Sequence, residues 1–163
     1  MRPIGSIYQI AFTVEDLDAA VRDWVAKGKA GPFYRFDHFT FVDPVYRGVA
    51  TAPDISIVLG YSGDVFVELI EVHNGLQSVF ADCQPGRHLH HVARLTRDFQ
   101  REAAGAVFTG KFTPSTNMAF LDTRPALGCF TELIEYDAGI EALLTMMADA
   151  ARNWDGRDAI RSL

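Results

Sequence analysis

Apolar and polar residues alternate at the start of the chain. Tyr8, Ile10, Phe12 and Val14 fall on one face of an extended segment, and Ile7, Gln9, Ala11 and Thr13 on the other. The first face predicts packing against helices, and the second, mixed in polarity, predicts the wall of a cleft. At Asp16 the period becomes helical. Leu17, Ala20, Val21, Trp24 and Val25 recur on one side, Asp16 is placed to cap the first turn, and Gly28 with Gly31-Pro32 ends the run. Segments 34–41, 55–61 and 65–72 read as strands, giving strand, helix, strand, strand, strand. The order then returns: a strand over 88–95, a brief helix over 98–104 with a weak apolar face, and strands over 106–112, 117–122 and 128–136. Ile140, Leu143, Leu144, Met147 and Ala151 mark a C-terminal amphipathic helix, followed by a charged tail that Trp154 anchors.

The two halves also echo each other in residue identity. Val65-Phe66-Val67-Glu68-Leu69-Ile70-Glu71 and Cys129-Phe130-Thr131-Glu132-Leu133-Ile134-Glu135 share the string Phe-x-Glu-Leu-Ile-Glu. A softer echo joins residues 7–17 to residues 89–99, each an opening strand running into an acidic helix start. The predicted organisation is a first βαβββ module over 1–73, a linker over 74–87, a second module over 88–137, and a helix and tail over 138–163. The fold class is α+β.

Composition removes several function classes. The net charge is -6 with no cluster of Lys and Arg, which does not suit nucleic acid or an anionic membrane. No window approaches the roughly 18 apolar residues of a membrane span, and the opening Met1-Arg2-Pro3-Ile4 lacks the apolar run of a signal peptide. Two cysteines, Cys83 and Cys129, make no disulfide framework and read as structural. A cytoplasmic, reduced protein is expected. The 12 Phe residues leave open whether rings line a pocket or only fill a core.

Gln9 and His91 occupy matching positions in the two opening strands, and Glu68 and Glu132 match in the two closing strands. If the modules pair about a pseudo-two-fold axis, these four side chains converge at its centre. Two carboxylates balance a divalent cation, and a neutral amide and imidazole complete the shell, so the site is tolerable when partly buried. Three oxygens and one nitrogen suit zinc, nickel, cobalt, manganese or ferrous iron. Register with Gln9 selects His91 over His90, and strict alternation turns His90 to the opposite face.

The strings Gln9-Ile10-Ala11-Phe12-Thr13-Val14-Glu15-Asp16-Leu17, Val67-Glu68-Leu69-Ile70, His90-His91-Val92-Ala93 and Thr131-Glu132-Leu133-Ile134-Glu135 resemble the vicinal oxygen chelate superfamily over residues 6 to 137. The resemblance implies paired βαβββ modules whose mixed sheet cups one divalent metal ion, here on Gln9, Glu68, His91 and Glu132. This is the ligand pattern of eukaryotic-type glyoxalase I. Methylmalonyl-CoA epimerase is similar but usually has His first and Gln second. Extradiol dioxygenases of the superfamily need His where Gln9 stands, and the bleomycin-resistance binding members have lost the metal residues.

The resemblance further implies proton transfer beside a metal-polarised carbonyl, with an enolate stabilised by the metal, by an isomerase, epimerase or lyase. Glu132 would be the base and Glu68 the partner that returns the proton; a base elsewhere, at His38 or His73, stays open. Arg35, Arg47 and Lys111 are the basic residues near strand ends. Phe33, Phe36, Met118 and Phe120 suggest an apolar substrate site, suited to a hydrophobic ketone or an acyl thioester. A homodimer binding a small molecule, with no nucleic-acid or membrane partner, is expected. The alternatives are a resistance-type binding protein and an iron dioxygenase.

Overall fold

The alternation at the start of the chain folds as β1 (Ile7–Val14), and the helical period as α1 (Leu17–Ala26). Asp16 accepts the Ala19 N–H at 2.8 Å, satisfying a donor that the first turn leaves open. Glu71 adds a second anchor by accepting the Leu17 N–H at 3.0 Å. The helix stops at Gly28, where a Cβ would stand 2.6 Å from the Trp24 ring and 2.9 Å from the Trp24 carbonyl oxygen. The computed structural model describes residues 4–83, 86 and 88–163; the first three residues of the opening and Gln84, Pro85 and Arg87 of the linker lie outside the described residues.

The first half continues through β2 (Phe33–Phe39), β3 (Val42–Tyr46), β4 (Val49–Ala50), β5 (Ile55–Ser62) and β6 (Val65–Val72). The second half runs β7 (His88–Thr96), α2 (Phe99–Glu102), β8 (Phe108–Thr113), β9 (Thr116–Leu121), α3 (Arg124–Leu127) and β10 (Phe130–Glu135). α4 (Ala138–Arg152) and β11 (Ile160–Arg161) complete it. Among the described residues eleven strands form one mixed sheet, in the order β11-β2-β5-β6-β1-β7-β10-β9-β8-β3-β4. The expected α+β class with a C-terminal helix is what the chain adopts.

The centre of that order is a near-palindrome. β1 pairs in parallel with β6, β7 in parallel with β10, and β1 meets β7 antiparallel. The registers match: Gln9 faces Phe66 as His91 faces Phe130, and Ala11 faces Glu68 as Ala93 faces Glu132. On the outer face, Leu17, Ala20 and Val21 of α1 cluster with Val58, Val67 and Leu69, and Phe99 of α2 clusters with Ala119 and Leu133. On the inner face lies the larger core, with Phe66, Ile70, Phe130 and Ile134 projecting from the two repeated strings.

Several elements were not legible beforehand. The chain leaves β2 at one edge of the central sheet and within three residues starts β3, which pairs with β8 at the other edge. The sheet therefore curls until its edges nearly meet. Phe39 and Phe112 bridge the seam with ring centroids 5.1 Å apart. α2 is a single turn, as its weak apolar face foreshadowed, and α3 is a further single turn ending in the left-handed Gly128. The tail docks: β11 pairs in parallel with β2, and the Trp154 ring packs where a Cβ on Gly31 would stand 2.7 Å away.

α4 does not sit apart from the modules. Ile140 and Met147 are buried, and Ile140, Leu143 and Leu144 pack on the inner core. Its first turn is tied down by Asp137, whose Oδ1 accepts the Ile140 N–H at 2.8 Å and whose Oδ2 accepts the Thr116 hydroxyl at 2.6 Å. The Thr116 hydroxyl, then the Ile140 N–H, hold the Asp137 carboxyl below the usual carboxylate range. Asp137→Ala should cost about 0.5–2 kcal/mol in urea unfolding at neutral pH. Because the folded-state pKa is depressed, this contribution is complete above the unfolded value of about 3.9 and fades as pH falls through the folded value. The gap between wild type and Asp137→Ala should therefore close in acid; a gap unchanged by acid would sink the assignment.

Candidate metal centre

The parallel registers bring four side chains from four strands to one point. Gln9, Glu68, His91 and Glu132 are all buried on the inner face. His91 Nε2 stands 3.2 Å from Glu68 Oε2, 3.2 Å from Glu132 Oε2 and 3.2 Å from Gln9 Nε2. Gln9 Nε2 donates to Glu68 Oε2 at 2.5 Å. Atoms bound to one ion at roughly 2.0–2.2 Å lie about 3.0–3.5 Å apart across ordinary coordination angles, so these spacings suit a shared centre. Each of the four strands gives one group, and Ala11 and Ala93, both fully buried, are their lateral neighbours. Larger side chains there would occupy the point of convergence.

The electrostatics call for a cation. Burial alone would lower the His91 pKa, but the Glu132 and Glu68 carboxylates outweigh it and raise it to about 9. Burial raises the Glu68 carboxyl, His91 pulls it back, and Glu132 adds a further push upward. Glu132 Oε2 is buried with no hydrogen-bond partner among the described residues, although His91 Nε2 lies 3.2 Å away out of line for a hydrogen bond. An unpaired carboxylate oxygen in a dry site is costly unless positive charge reaches it. A proton on His91 Nε2 meets that need in part; a divalent ion would take the proton's place and reach both carboxylates. Gln9 would ligate through Oε1, with its amide turned over from the present arrangement.

His90 departs from the expected geometry. Strict alternation puts it on the opposite face, but β7 carries an extra residue there: Ala11 faces His91 and Phe12 faces Leu89. This bulge turns His90 inward, fully buried, with its ring stacked on Phe80 at 5.1 Å. His90 Nε2 donates to the Val79 carbonyl at 3.1 Å, so its Nδ1 accepts from His91 Nδ1 at 2.7 Å. Burial, then His91, push its pKa down to about 3, so it stays neutral and can accept. The relay fixes the His91 tautomer and leaves Nε2 facing the carboxylates. β1 repeats the device: Ile7 faces Arg94 and Gln9 faces Ala93, leaving Tyr8 as the extra residue. Tyr8 thus joins the inner core instead of the helix-facing side that alternation assigns to it. Burial, then Glu132 and Glu68, raise its phenol pKa and keep it an O–H donor.

The cup above these groups is apolar. Phe39, Phe41, Ile57, Leu59, Phe66, Phe80, Phe112, Phe120 and Ile134 line it, and Ile140, Leu143 and Leu144 of α4 close it, leaving about 40 Å³ free. That is room for about one water molecule. Among the lining residues there is no Lys or Arg. Tyr8 and Leu144 also line a neighbouring cavity of about 430 Å³ that touches Ser6, Asp64, Glu141 and Arg152.

Of the four residues expected to line a substrate site, Phe120 lines the cup. Phe33 lies in the outer cluster under α1, because its strand parity faces that helix. Met118 and Phe36 pack in the inner core without lining the cup. Arg35 is held by Asp18 and Asp37, and Arg47 by Asp82, outside the cup; Lys111 does not line it either. His38 and His73, considered as alternative bases, lie together elsewhere. The lining from Phe39, Phe41, Phe80 and Phe112 has no signal in the sequence, because it comes from the seam and the linker, where no periodicity marks a face. Cys83 and Cys129 are free thiols, the latter buried.

No protein-family model matches the chain, and no curated protein matches it. Solved structures do. Methylmalonyl-CoA epimerase from Mycobacterium tuberculosis is 16% identical, covering 87% of this chain and 97% of its own, at a TM-score of 0.55. A variant of the Streptomyces coelicolor methylmalonyl-CoA epimerase in complex with 2-nitronate-propionyl-CoA is 21% identical, covering 83% and 97%, at 0.51. A hypothetical protein from Bacillus halodurans C-125 is 18% identical, covering 81% and 94%, at 0.52. With its paired modules, matched registers and shared cup, this chain has the fold of the vicinal oxygen chelate superfamily.

Proposed function

We propose that the chain is a metal-dependent enzyme of the epimerase or isomerase type that moves a proton at the carbon beside a carbonyl. The observation that carries this reading is the buried Glu132 oxygen without a hydrogen-bond partner, facing His91, Glu68 and Gln9 in an otherwise hydrocarbon cup. Gln9, Glu68, His91 and Glu132 would hold one divalent ion of the zinc, nickel, cobalt, manganese or iron class. When bound, the ion supplies Lewis acidity to the carbonyl oxygen. Glu132 Oε2 would be the base that takes the proton, and Glu68, projecting from the equivalent strand and starting protonated, would give its own proton on the other side, the two carboxyls exchanging protonation states in each turnover. The Tyr8 phenol supplies an O–H in the wall of the cup. The apolar lining excludes water, which strengthens each of these interactions.

The same lining narrows the substrate. No Lys or Arg lines the cup, so a substrate carboxylate lying away from the Glu68–His91–Glu132 centre would be buried unpaired. The fitting class is an uncharged, apolar ketone, hydroxyketone or acyl group. Since the free volume is about 40 Å³, Ile140, Leu143 and Leu144 must withdraw to admit it. The epimerase neighbours support the reaction type by fold; the choice of an uncharged substrate rests on the cup.

Two measurements check this reading. Elemental analysis of desalted protein should find a tightly held divalent ion, lost in Glu132→Ala and in His91→Ala with the fold retained. His90→Phe keeps the ring volume but removes the acceptor for His91 Nδ1–H, and should weaken metal binding by about 10–100-fold. Undiminished affinity there would remove His90 from the site. A metal-free wild type would favour the resistance-type binding protein instead. Second, wild type in deuterium oxide should label apolar ketones, hydroxyketones or acyl thioesters beside the carbonyl. Glu132→Gln should lose roughly a hundredfold or more of that exchange. Exchange that persists in full would move the base to Glu68.

A further inference from the structure

Two histidines set aside by the cup come together on the other side of the sheet. In β5, Ile55, Ile57 and Leu59 project into the inner core, while Val58 packs in the outer cluster with α1. Asp54 and Ser56 share the parity of Val58 and so face outward. In β6, Val67 and Leu69 face outward, and Glu71 and His73 continue their parity. His38 joins from β2. One ligand atom from each of His38, Asp54 and His73 lies within 4.8 Å of the others.

The cluster is built, with main-chain and side-chain ties holding each member. The His73 N–H donates to the Asp54 carbonyl at 2.8 Å, so these two positions are fixed by the sheet. His38 Nδ1 lies 2.8 Å from Asp54 Oδ1, and the His38 and His73 ring centroids are 4.7 Å apart. Ser56 Oγ accepts the His38 N–H at 3.1 Å and stands 2.7 Å from His73 Nε2. Glu71 Oε1 lies 3.8 Å from His73 Nδ1, on the side that leaves Nε2 turned toward the cluster. His38 takes a left-handed backbone, φ 48°, at a bulge between Phe36 and Phe39 where β2 slips against β5. A non-glycine residue held there is strained, and the bulge aims its ring over His73.

We propose that His38, Asp54 and His73 form a second, outward-facing site for a divalent transition-metal ion of the zinc or copper class. Two imidazoles and one carboxylate are the donor set such ions prefer, whereas magnesium and calcium favour all-oxygen shells. Three protein ligands on an exposed face leave positions open to water or to an outside donor. The site is separated from the cup by the sheet itself and does not depend on the reading of Gln9, Glu68, His91 and Glu132.

The test is a zinc titration of untagged, chelator-stripped full-length protein by calorimetry, with excess magnesium present, repeated with cobalt and read by visible absorption. Wild type should bind two equivalents. His38→Gly, which suits the left-handed backbone and so keeps the fold, and His73→Ala should each lose the same equivalent, or weaken it by at least about tenfold, and keep the other. His91→Ala should keep the equivalent that His38→Gly removes. Whether wild type binds one equivalent or two, the absence of any equivalent that His38→Gly and His73→Ala both remove or weaken would overturn the proposal. Loss of only the other equivalent in His91→Ala speaks to the cup alone, so the two sites fail or stand separately.

Discussion

Two buried carboxylates flank one imidazole nitrogen at 3.2 Å each, and the organisation of this chain follows from keeping them there. Like charges in a dry cavity repel, and each loses its hydration. The site can exist only if positive charge sits between them and if rigid elements prevent the pair from relaxing apart. His91 provides the first condition, raised to about 9 by its neighbours. The sheet provides the second, since the carboxylates project from β6 and β10, each flanked by paired strands on both sides.

Duplication is what makes the convergence possible. Each half contributes an opening strand and a closing strand in the same parallel register, and the two opening strands meet antiparallel, so equivalent positions are brought face to face. Alanine at 11 and 93 leaves the space between them. The paired bulges at Tyr8 and His90 break the alternation in both halves at the same place, and each pushes an extra ring into the wall beside a polar group. In the second half that ring orients His91. The first half supplies a phenol in its place, and the pseudo-symmetry becomes a functional asymmetry there.

The strands and the four converging residues were legible because their signals are local and repeated. Period-two alternation gives the face of β1, and Phe-x-Glu-Leu-Ile-Glu gives both closing strands. What could not be read depended on long-range pairing. The orientation of His90 follows from a one-residue slip against β1, which no composition of β7 encodes. The hairpin of β3 and β4 has neither clean alternation nor an apolar run, and its place is set by the edge of β8 that it covers. Phe33 and Phe120 look alike in sequence; strand parity sends one under α1 and the other into the cup. α4 announced its apolar stripe at Ile140, Leu143 and Leu144, but the stripe is silent about which surface receives it.

That surface is the mouth of the cup, and the seating of α4 there makes the resting protein its own competitor. The three helix side chains keep water off the charged centre in the way a bound hydrocarbon would. On the function proposed above, an incoming molecule would have to offer the vacated surface at least as much apolar contact as the helix withdraws. Discrimination would then work by area: a small, well-hydrated carbonyl compound would have too little hydrocarbon to hold the helix away, whatever its intrinsic reactivity. Selectivity would reside as much in the strength of the Asp137 cap and the length of the α4 stripe as in the groups that touch the reacting carbon.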